Sequence, residues 1–548
     1  VTRTERLGYG ALIGVAAAGA ALGVAEPVAA LVGRGSSPVV AVGLAVIDAV
    51  PRPVKDFGIR TFGQHDKEAL LAGVFVLLAL FAVGVGVAAL SRRWIGVGGV
   101  VVFGALGAVA ALSRPAASVV SAVPSVLGTV AAVGVIVFLL RAVPRPAASA
   151  GVPAAAAGAA RPAPRHRSRP RARLQDQPQD RASARDTPPV RRPGLDRRGF
   201  LAVTTSVVAA SAALGGVGRF LTSLRDVGAE RRGITLPAPA DPAPALPAGA
   251  DLKLPDLTPF LTPPRDFYRV DTALVVPQVS IDEYRLRIHG RVRHPLTLTY
   301  QDLLERDLIE RVITLSCVSN EVGGDLAGTA RWLGVRLKDL LDEAGPADDA
   351  DQLLSTSVDG WTCGTPTAVV RDGRDAMLAV GMNGEPLPLQ RGYPVRMLVP
   401  GLYGYVSATK WLVDLELTRF SDVAPYWVKR GWKREAPIKT FSRIDTPRPL
   451  ANATAGRLAV AGVAWAQHRG VEKVEVRVDG GAWNAADLAA VPSVDTWRQW
   501  RWEWDADPGR HTLEVRATDR TGATQPEARE KPFPDGATGW HSVVVTVS

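Results

Sequence analysis

Residues 69–90 read ALLAGVFVLLALFAVGVGVAAL, 22 positions without one charged side chain. A bilayer core is crossed by about 20 helical residues, because in hydrocarbon each backbone N–H must be satisfied within its own segment. This run therefore predicts a membrane-spanning helix, and residues 94–112 and 118–140, both uncharged, predict two more. Residues 7–33 form a further apolar stretch, interrupted late by Glu26 and Pro27. Residues 38–50 are too short to cross and end near Asp48 and Pro51, which suits an interfacial or re-entrant piece. Arg3 and Arg6, the Arg92-Arg93 pair, and Arg141 with Arg145 fall on one side if there are four spans. Lys/Arg enrichment marks the cytoplasmic side.

The formal charge of +11 is concentrated in one place. Residues 141–198 hold 14 Arg and 4 Asp among Ala and Pro, so the remainder is nearly neutral and nucleic acid is not an expected partner. Residues 141–196 lack apolar periodicity and read as a disordered, cytoplasmic Arg/Pro/Ala-rich linker. Over 197–222 the chain then runs RRGFLAVTTSVVAASAALGGVGRFLT, an arginine pair followed by Phe200-Leu201 and an uncharged stretch. This resembles a twin-arginine export signal, with Asp196 where Ser or Thr is usual, and it doubles as a fifth spanning helix. Either reading places the following residues outside the cytoplasm. Residues 223–266 form a Pro-rich spacer.

From Phe267 the texture changes to alternating strands and short amphipathic helices. YRLRIHGRV (284–292) alternates as a strand, LTYQDLLER (298–306) turns into a helix, and RWLGVRLKDLLDEAG (331–345) has helical periodicity closed by Gly345. Between them lies LSCVSNEVGG (315–324), with Cys317, one of only two cysteines. Two cysteines exclude a disulfide framework, a CxxC zinc site and a cysteine-ligated iron–sulfur cluster. His65 is the sole histidine of the first 140 residues, so no histidine pair is available there for a membrane haem. A lone cysteine is commonly a small buried hydrophobe. At a strand end before a polar, Gly-rich turn, it can also be displayed as a reactive group.

DFYRVDTAL (266–274), LSCVSNEVGG, ARWLGVRLKDLL (330–341), MNGEPLP (382–388) and PVRMLVPGLYGYVSATKWL (394–412) follow one another over 147 residues. This ordered set resembles the sulfite oxidase family of molybdopterin enzymes, in a membrane-anchored bacterial form. The resemblance implies a molybdenum–molybdopterin cofactor with Cys317 as its thiolate ligand. Tyr268, Arg269, Ser319, Gly401, Gly404, Ser407 and Lys410 are implied on the pterin side. It further implies oxygen-atom transfer on a small molecule, with Arg269, Trp361, Glu321 and Arg469 at the substrate. A soft, deprotonated thiolate suits a high-valent metal. Two positions depart from the family's sulfite site: Glu321 stands where an arginine is expected, and Trp361 where a tyrosine is expected. A carboxylate disfavours a dianion, so an S-oxide or N-oxide reductase is expected rather than a sulfite oxidizer. A rival reading is a non-catalytic anchored binding module with a Cys317–Cys363 disulfide.

Residues 447–548 alternate as strands, among them VEKVEVRVDGGAW and the Trp500, Trp502 and Trp504 series, and read as an immunoglobulin-like sandwich of the dimerising kind the family carries. The expected architecture is thus a transmembrane helical bundle (1–140), a mixed α+β molybdopterin domain (267–446) and an all-β domain. It would be a multi-pass cell-membrane protein with its catalytic domain outside the cytoplasm and an external electron-transfer partner.

Overall fold

The structure, a computed structural model, describes residues 3–144 and 195–548, apart from 52–53, 55–56, 58–60, 62–65, 115–116 and 225–226. Most of the expected 141–196 linker, and His65, lie outside the described residues. Six apolar helices come first: α1 (Arg3–Val32), α2 (Pro38–Ala49), α3 (Asp66–Ser91), α4 (Arg93–Leu112), α5 (Val123–Ala142) and α6 (Arg197–Leu224). Five of these are long and apolar enough to cross a membrane, and α2, at 12 residues, is not. Asp196 caps α6 by accepting from the Gly199 N–H at 2.8 Å. Asp, like Ser and Thr, is a favoured residue at a helix N-cap.

The described chain falls into two compact units. One comprises residues 1–27, 73–106 and 124–217. Its helices meet through small residues: a Cβ on Gly14 would stand 1.9 Å from the Ala82 carbonyl oxygen, and one on Gly86 2.0 Å from that of Gly10. Such close approach gives helices dispersion contact that apolar solvent cannot drive.

The other unit comprises residues 28–72, 107–123 and 218–548. Ten strands build its first part: β1 (Leu286–Gly290), β2 (Leu296–Leu298), β3 (Leu308–Ser316), β4 (Ala327–Arg336), β5 (Gln352–Ser357), β6 (Thr362–Pro366), β7 (Met377–Met382), β8 (Glu385–Pro386), β9 (Arg396–Leu398) and β10 (Leu412–Thr418). They form two sheets, in the orders β2-β1-β10-β5-β6 and β3-β4-β7-β8, with β9 on β7. Only the first half of the helical periodicity at 331–345 fails as helix. Arg331–Arg336 is strand, because it pairs with both β3 and β7, and the helix is confined to Leu337–Ala344, ended by Gly345 at φ 66°. Two-sided pairing in a buried sheet outweighs local propensity.

Nine further strands follow: β11 (Phe441–Thr446), β12 (Asn452–Ala453), β13 (Gly456–Trp465), β14 (Val471–Val478), β15 (Asn484–Ala485), β16 (Asp487–Leu488), β17 (Arg498–Ala506), β18 (Gly509–Asp519) and β19 (His541–Val547). The sheets β11-β13-β17-β16 and β12-β19-β18-β14-β15 share one core, in which Trp500 and Trp504 meet Val474, Val476, Leu513 and Val545. β11 therefore belongs with this C-terminal region, although it precedes residue 447.

This region is bonded directly to the end of β3. The Thr314 N–H donates to the Asp495 carbonyl at 2.9 Å, and the Trp497 N–H donates to Thr314 Oγ1 at 2.7 Å. His541, at the start of β19, packs against Gly323 and accepts the Ile444 N–H on Nδ1 at 3.0 Å. Burial, with Arg443 and Arg529 nearby, pushes the His541 imidazole down from 6.5 to about 4. The unfolded chain then binds the proton more readily than the folded one. The neutral ring's contribution is present in full above about pH 6.5 and is lost progressively as pH falls to about 4, a loss of about 3 kcal/mol. We expect His541→Gln to flatten the stability profile across that window. Parallel wild-type and variant melting curves between pH 6.5 and 4 would contradict this.

Candidate active site

β3 ends at Ser316, and the chain turns at once into Cys317. The turn is held by its own backbone and by Asn320: the Cys317 N–H donates to the Leu326 carbonyl at 2.9 Å, and Asn320 Oδ1 accepts the Leu326 N–H at 2.9 Å. The Ser319 N–H points at the sulfur, 3.4 Å from Sγ. Arg443, from the C-terminal region, donates to the Gly324 carbonyl at 2.7 Å and braces the turn from behind. Cys317 is thus presented at the floor of a cleft with about 920 Å³ of empty space.

Of the residues expected at the site, Tyr268, Cys317, Ser319, Trp361, Gly404 and Lys410 do line this cleft. Gly404 lies beside the Tyr268 hydroxyl: a Cβ there would stand 3.9 Å from Oη, an ordinary contact distance. Trp411 sits at φ 51°, a backbone conformation uncommon for a bulky residue, and its indole N–H donates to the Leu389 carbonyl at 2.8 Å. That strained residue fixes Lys410 beside it, whose Nζ lies 2.8 Å from Asp271 Oδ2 and 3.2 Å from the Val270 carbonyl.

The other expected residues are held elsewhere. Arg269 Nε is bound to Asp271 Oδ2 at 3.0 Å, and the guanidinium does not line the cleft. Arg469 is committed to Asp519, Ile438 and Thr440 in the C-terminal region. Glu321 is exposed and does not line the cleft, because its turn directs it to solvent. The expectation that a carboxylate there repels a dianion is therefore withdrawn. Ser407 spends its hydroxyl on the Leu402 and Tyr403 carbonyls, both at 3.0 Å. Gly401, at φ 85°, packs against Arg374 and His468. Cys317 and Cys363 are both free thiols, so the disulfide of the rival reading is absent, and Cys363 is enclosed in the core of the sheet.

Three features were not read from the sequence. The first is Arg396 on β9, 4% exposed, with its guanidinium 5.0 Å from the Trp332 ring. It lines the cleft, its Nε has no hydrogen-bond partner, and burial lowers it to about 10, which leaves it charged. A lone arginine inside the apolar run Val395–Val399 was the available signal. The second is Asp271. Burial alone would raise its carboxyl, but Lys410, Lys67 and Arg269 outweigh burial and hold it well below the usual carboxylate range. The third is an aromatic wall, in which Tyr405, Trp427 and Trp432 join Trp361, with Trp432 5.7 Å from Tyr405 and 6.3 Å from Trp427. Two tryptophans five residues apart were its only trace in the sequence.

The donor set suits an anionic cofactor whose metal takes a thiolate ligand. A buried thiol, a buried arginine with an orphaned Nε and a lysine face one space, and an unpaired buried donor marks a missing acceptor. Burial raises the Cys317 thiol, while the Ser319 N–H and Lys410 favour its thiolate, and burial pulls Lys410 down to about 8.

Comparison with known proteins agrees with this chemistry. Residues 273–427 match the family described as "Oxidoreductase molybdopterin binding domain". That span holds Cys317, Trp361, Arg396 and Lys410, while Tyr268, Arg269 and Arg469 lie outside it. Sulfite oxidase of Gallus gallus is 30% identical over 321 residues, 49% of this chain and 69% of that protein. Mitochondrial sulfite oxidase of Homo sapiens is 28% identical over 317 residues, and the chain spans only 58% of its length. Among solved structures, the sulfane dehydrogenase SoxCD from Paracoccus pantotrophus is 25% identical, covers 53% of this chain and 84% of its own, and has a TM-score of 0.47. The site is that of a molybdopterin-binding domain. The chain belongs to the sulfite oxidase family.

Because the orphaned Arg396 donor faces the cleft, Arg396→Met should lower retained molybdopterin by about tenfold or more, the worth of a lost charge-assisted contact. Pterin and metal content of the purified variant measures this directly. Unchanged content would show that Arg396 serves packing alone.

Proposed function

We propose that this protein is a membrane-anchored, molybdopterin-dependent oxidoreductase that removes oxygen from a neutral or cationic S-oxide or N-oxide. The carrying observation is the makeup of the cleft beside Cys317. Its lining cations are Arg396 and Lys410, the second already paired with Asp271, whereas aromatic rings, among them Trp361, Tyr405, Trp427 and Trp432, make up much of the rest of the lining. A sulfite dianion needs several convergent cations, and Arg269 and Arg469 are engaged elsewhere. Aromatic faces attract an apolar or cationic group instead.

On this reading Cys317 ligates the metal as a thiolate, and Arg396 and Lys410 face the anionic part of the pterin. The bound molybdenum group supplies the two-electron oxygen-transfer chemistry. As a ligand, Cys317 would give up the proton that burial otherwise favours on its sulfur. The aromatic wall orients substrate and excludes water. Asp359, whose carboxyl is raised by burial and by Asp271 and which accepts the Trp361 N–H at 3.2 Å, can hold a proton on its carboxyl oxygen for the departing oxide oxygen.

Steady-state kinetics should show a panel of S- and N-oxides with reduced viologen preferred over sulfite with an artificial acceptor by about 10²-fold or more, two missing cation contacts being worth roughly 1.5–3 kcal/mol each. Cys317→Ser should abolish turnover, and Cys363→Ser should be far milder. Sulfite oxidation with kcat/KM on the order of 10⁶ M⁻¹s⁻¹ would refute the substrate class.

The five long apolar helices are read as spans, the Arg197-Arg198 pair as a twin-arginine signal, and the C-terminal sheets as an immunoglobulin-like sandwich suited to dimerisation. Supporting this topology, residues 28–72, 107–123 and 218–548, which the arginine bias puts on the outer side, fall in one unit. Replacing Arg197 and Arg198 together with Lys keeps the charge and should leave the catalytic domain protease-protected in spheroplasts. If it stays accessible outside, the pair acts only as a topological anchor.

A further inference from the structure

A second and larger cavity, with about 2160 Å³ of empty space, adjoins the first. One wall comes from the membrane-proximal segments of the same unit: Val40, Leu44 and Ile47 on α2, and Ala111 at the end of α4. These segments are fixed in place. Ala41 packs on Ala110 and Ala111, and Leu274 reaches to within 2.8 Å of where a Gly43 Cβ would stand. The opposite wall is the 272–278 stretch with the 358–362 turn and Tyr426. Thr272, Asp359 and Trp361 line both this cavity and the Cys317 cleft.

We infer that this cavity binds a lipid-soluble quinol that serves as the direct two-electron reductant of the enzyme, an inference that rests on the oxide-reductase reading above. Three observations favour that occupant. Its apolar wall is built by segments flanking candidate spans Thr4–Val32, Lys67–Ser91 and Arg93–Leu112, so a ligand with an isoprenoid tail can enter from the bilayer. Trp361 lines the cavity and gives an indole for a quinone head to pack on, beside Tyr426, whose ring carries the Arg430 guanidinium 3.5 Å from its centroid. The Asp359 carboxyl, facing both spaces, is placed to take a proton from a quinol hydroxyl, and its burial makes it a better proton acceptor than an ordinary aspartate. A purely structural lipid would have no need of side chains shared with the cofactor cleft.

The reaction balances. Both O–H bonds of the quinol break, and it becomes quinone by giving up two electrons and two protons. The substrate's S–O or N–O bond breaks, and its oxygen leaves as water with two protons, the sulfide or amine keeping the electron pair.

The test uses the full-length holoenzyme in nanodiscs. An azido-substituted decyl benzoquinone, photolysed and mapped by peptide mass spectrometry, should label 33–50, 107–123 or 272–278. Leu44→Trp, which fills the cavity from α2, should reduce that labelling and duroquinol-driven oxide reduction by about tenfold or more, with Leu44→Phe intermediate, and leave viologen-driven turnover unchanged. Labelling of the wild type requires neither variant to fold. The proposal is overturned if label falls only outside these segments, or if native mass spectrometry finds an anionic phospholipid at the Arg114, Lys429 and Arg430 edge that saturating quinone does not displace. Equal loss of both activities in Leu44→Trp, with wild-type labelling elsewhere, also overturns it. Quinone labelling without viologen-driven oxide reduction would instead refute the substrate class and keep the quinone site.

Discussion

One buried carboxylate, Asp271, organises the cofactor side of this protein. It binds Lys67, at the start of α3, Arg269, two residues before it, and Lys410, on the loop that borders the cleft. A carboxylate with a single cation would gain little, since desolvation offsets the attraction. Three cations on one 8%-exposed carboxylate reverse the balance, and they leave the cluster with two positive charges in excess. Arg391 and Arg396 add two more, and carbonyl oxygens are their hydrogen-bond acceptors. A buried surplus of that size is sustained by an anion, which is what a molybdopterin phosphate provides.

Rigidity at the thiol comes from a different source. The turn that carries Cys317 is ten residues long and contributes little apolar surface of its own, yet it is fixed on three sides by the C-terminal region. Asp495 and Trp497 hold the last turn of strand before it, Arg443 takes the Gly324 carbonyl, and His541 fills the space that Gly323 leaves open. The C-terminal sheets are therefore part of the active site's support as well as a separate core. If Cys317 ligates the metal as proposed, such bracing matters, because a displacement of about 1 Å at the reacting centre is costly in rate.

The apolar helices, the strand-end position of Cys317 and the alternation of the C-terminal tryptophans were legible because each depends on local pattern: an uncharged run, a polarity step, a period of two. The cleft's far wall was not. Trp427 and Trp432 line the same cleft as Cys317 from more than 100 positions away, and nothing in their local spacing says which cavity they face. Arg396 was hidden by its setting, since a charge in an apolar strand signals a special role without naming its partner. Glu321 misled for the opposite reason, a matching position in a motif whose side chain the turn sends to solvent. At 331–345 the helical period was real over Leu337–Ala344 only, and sheet pairing claimed the rest.

On the proposed reading, charge allocation bears on the substrate more than any single residue does. If the excess cations of the Asp271 cluster and Arg396 are matched by the cofactor's own negative charge, little positive potential remains for a substrate dianion. What faces the remaining space is the Trp361, Tyr405, Trp427 and Trp432 wall, with Asp359 beneath it. Quadrupoles of aromatic rings present negative faces, and a buried carboxyl either repels an anion when ionised or donates a proton when neutral. Both behaviours favour a substrate that arrives uncharged or positive and leaves an oxygen that must be protonated. On the proposed reading, a departure from the sulfite-oxidizing pattern would lie less in one substituted residue than in where the protein places its positive charge.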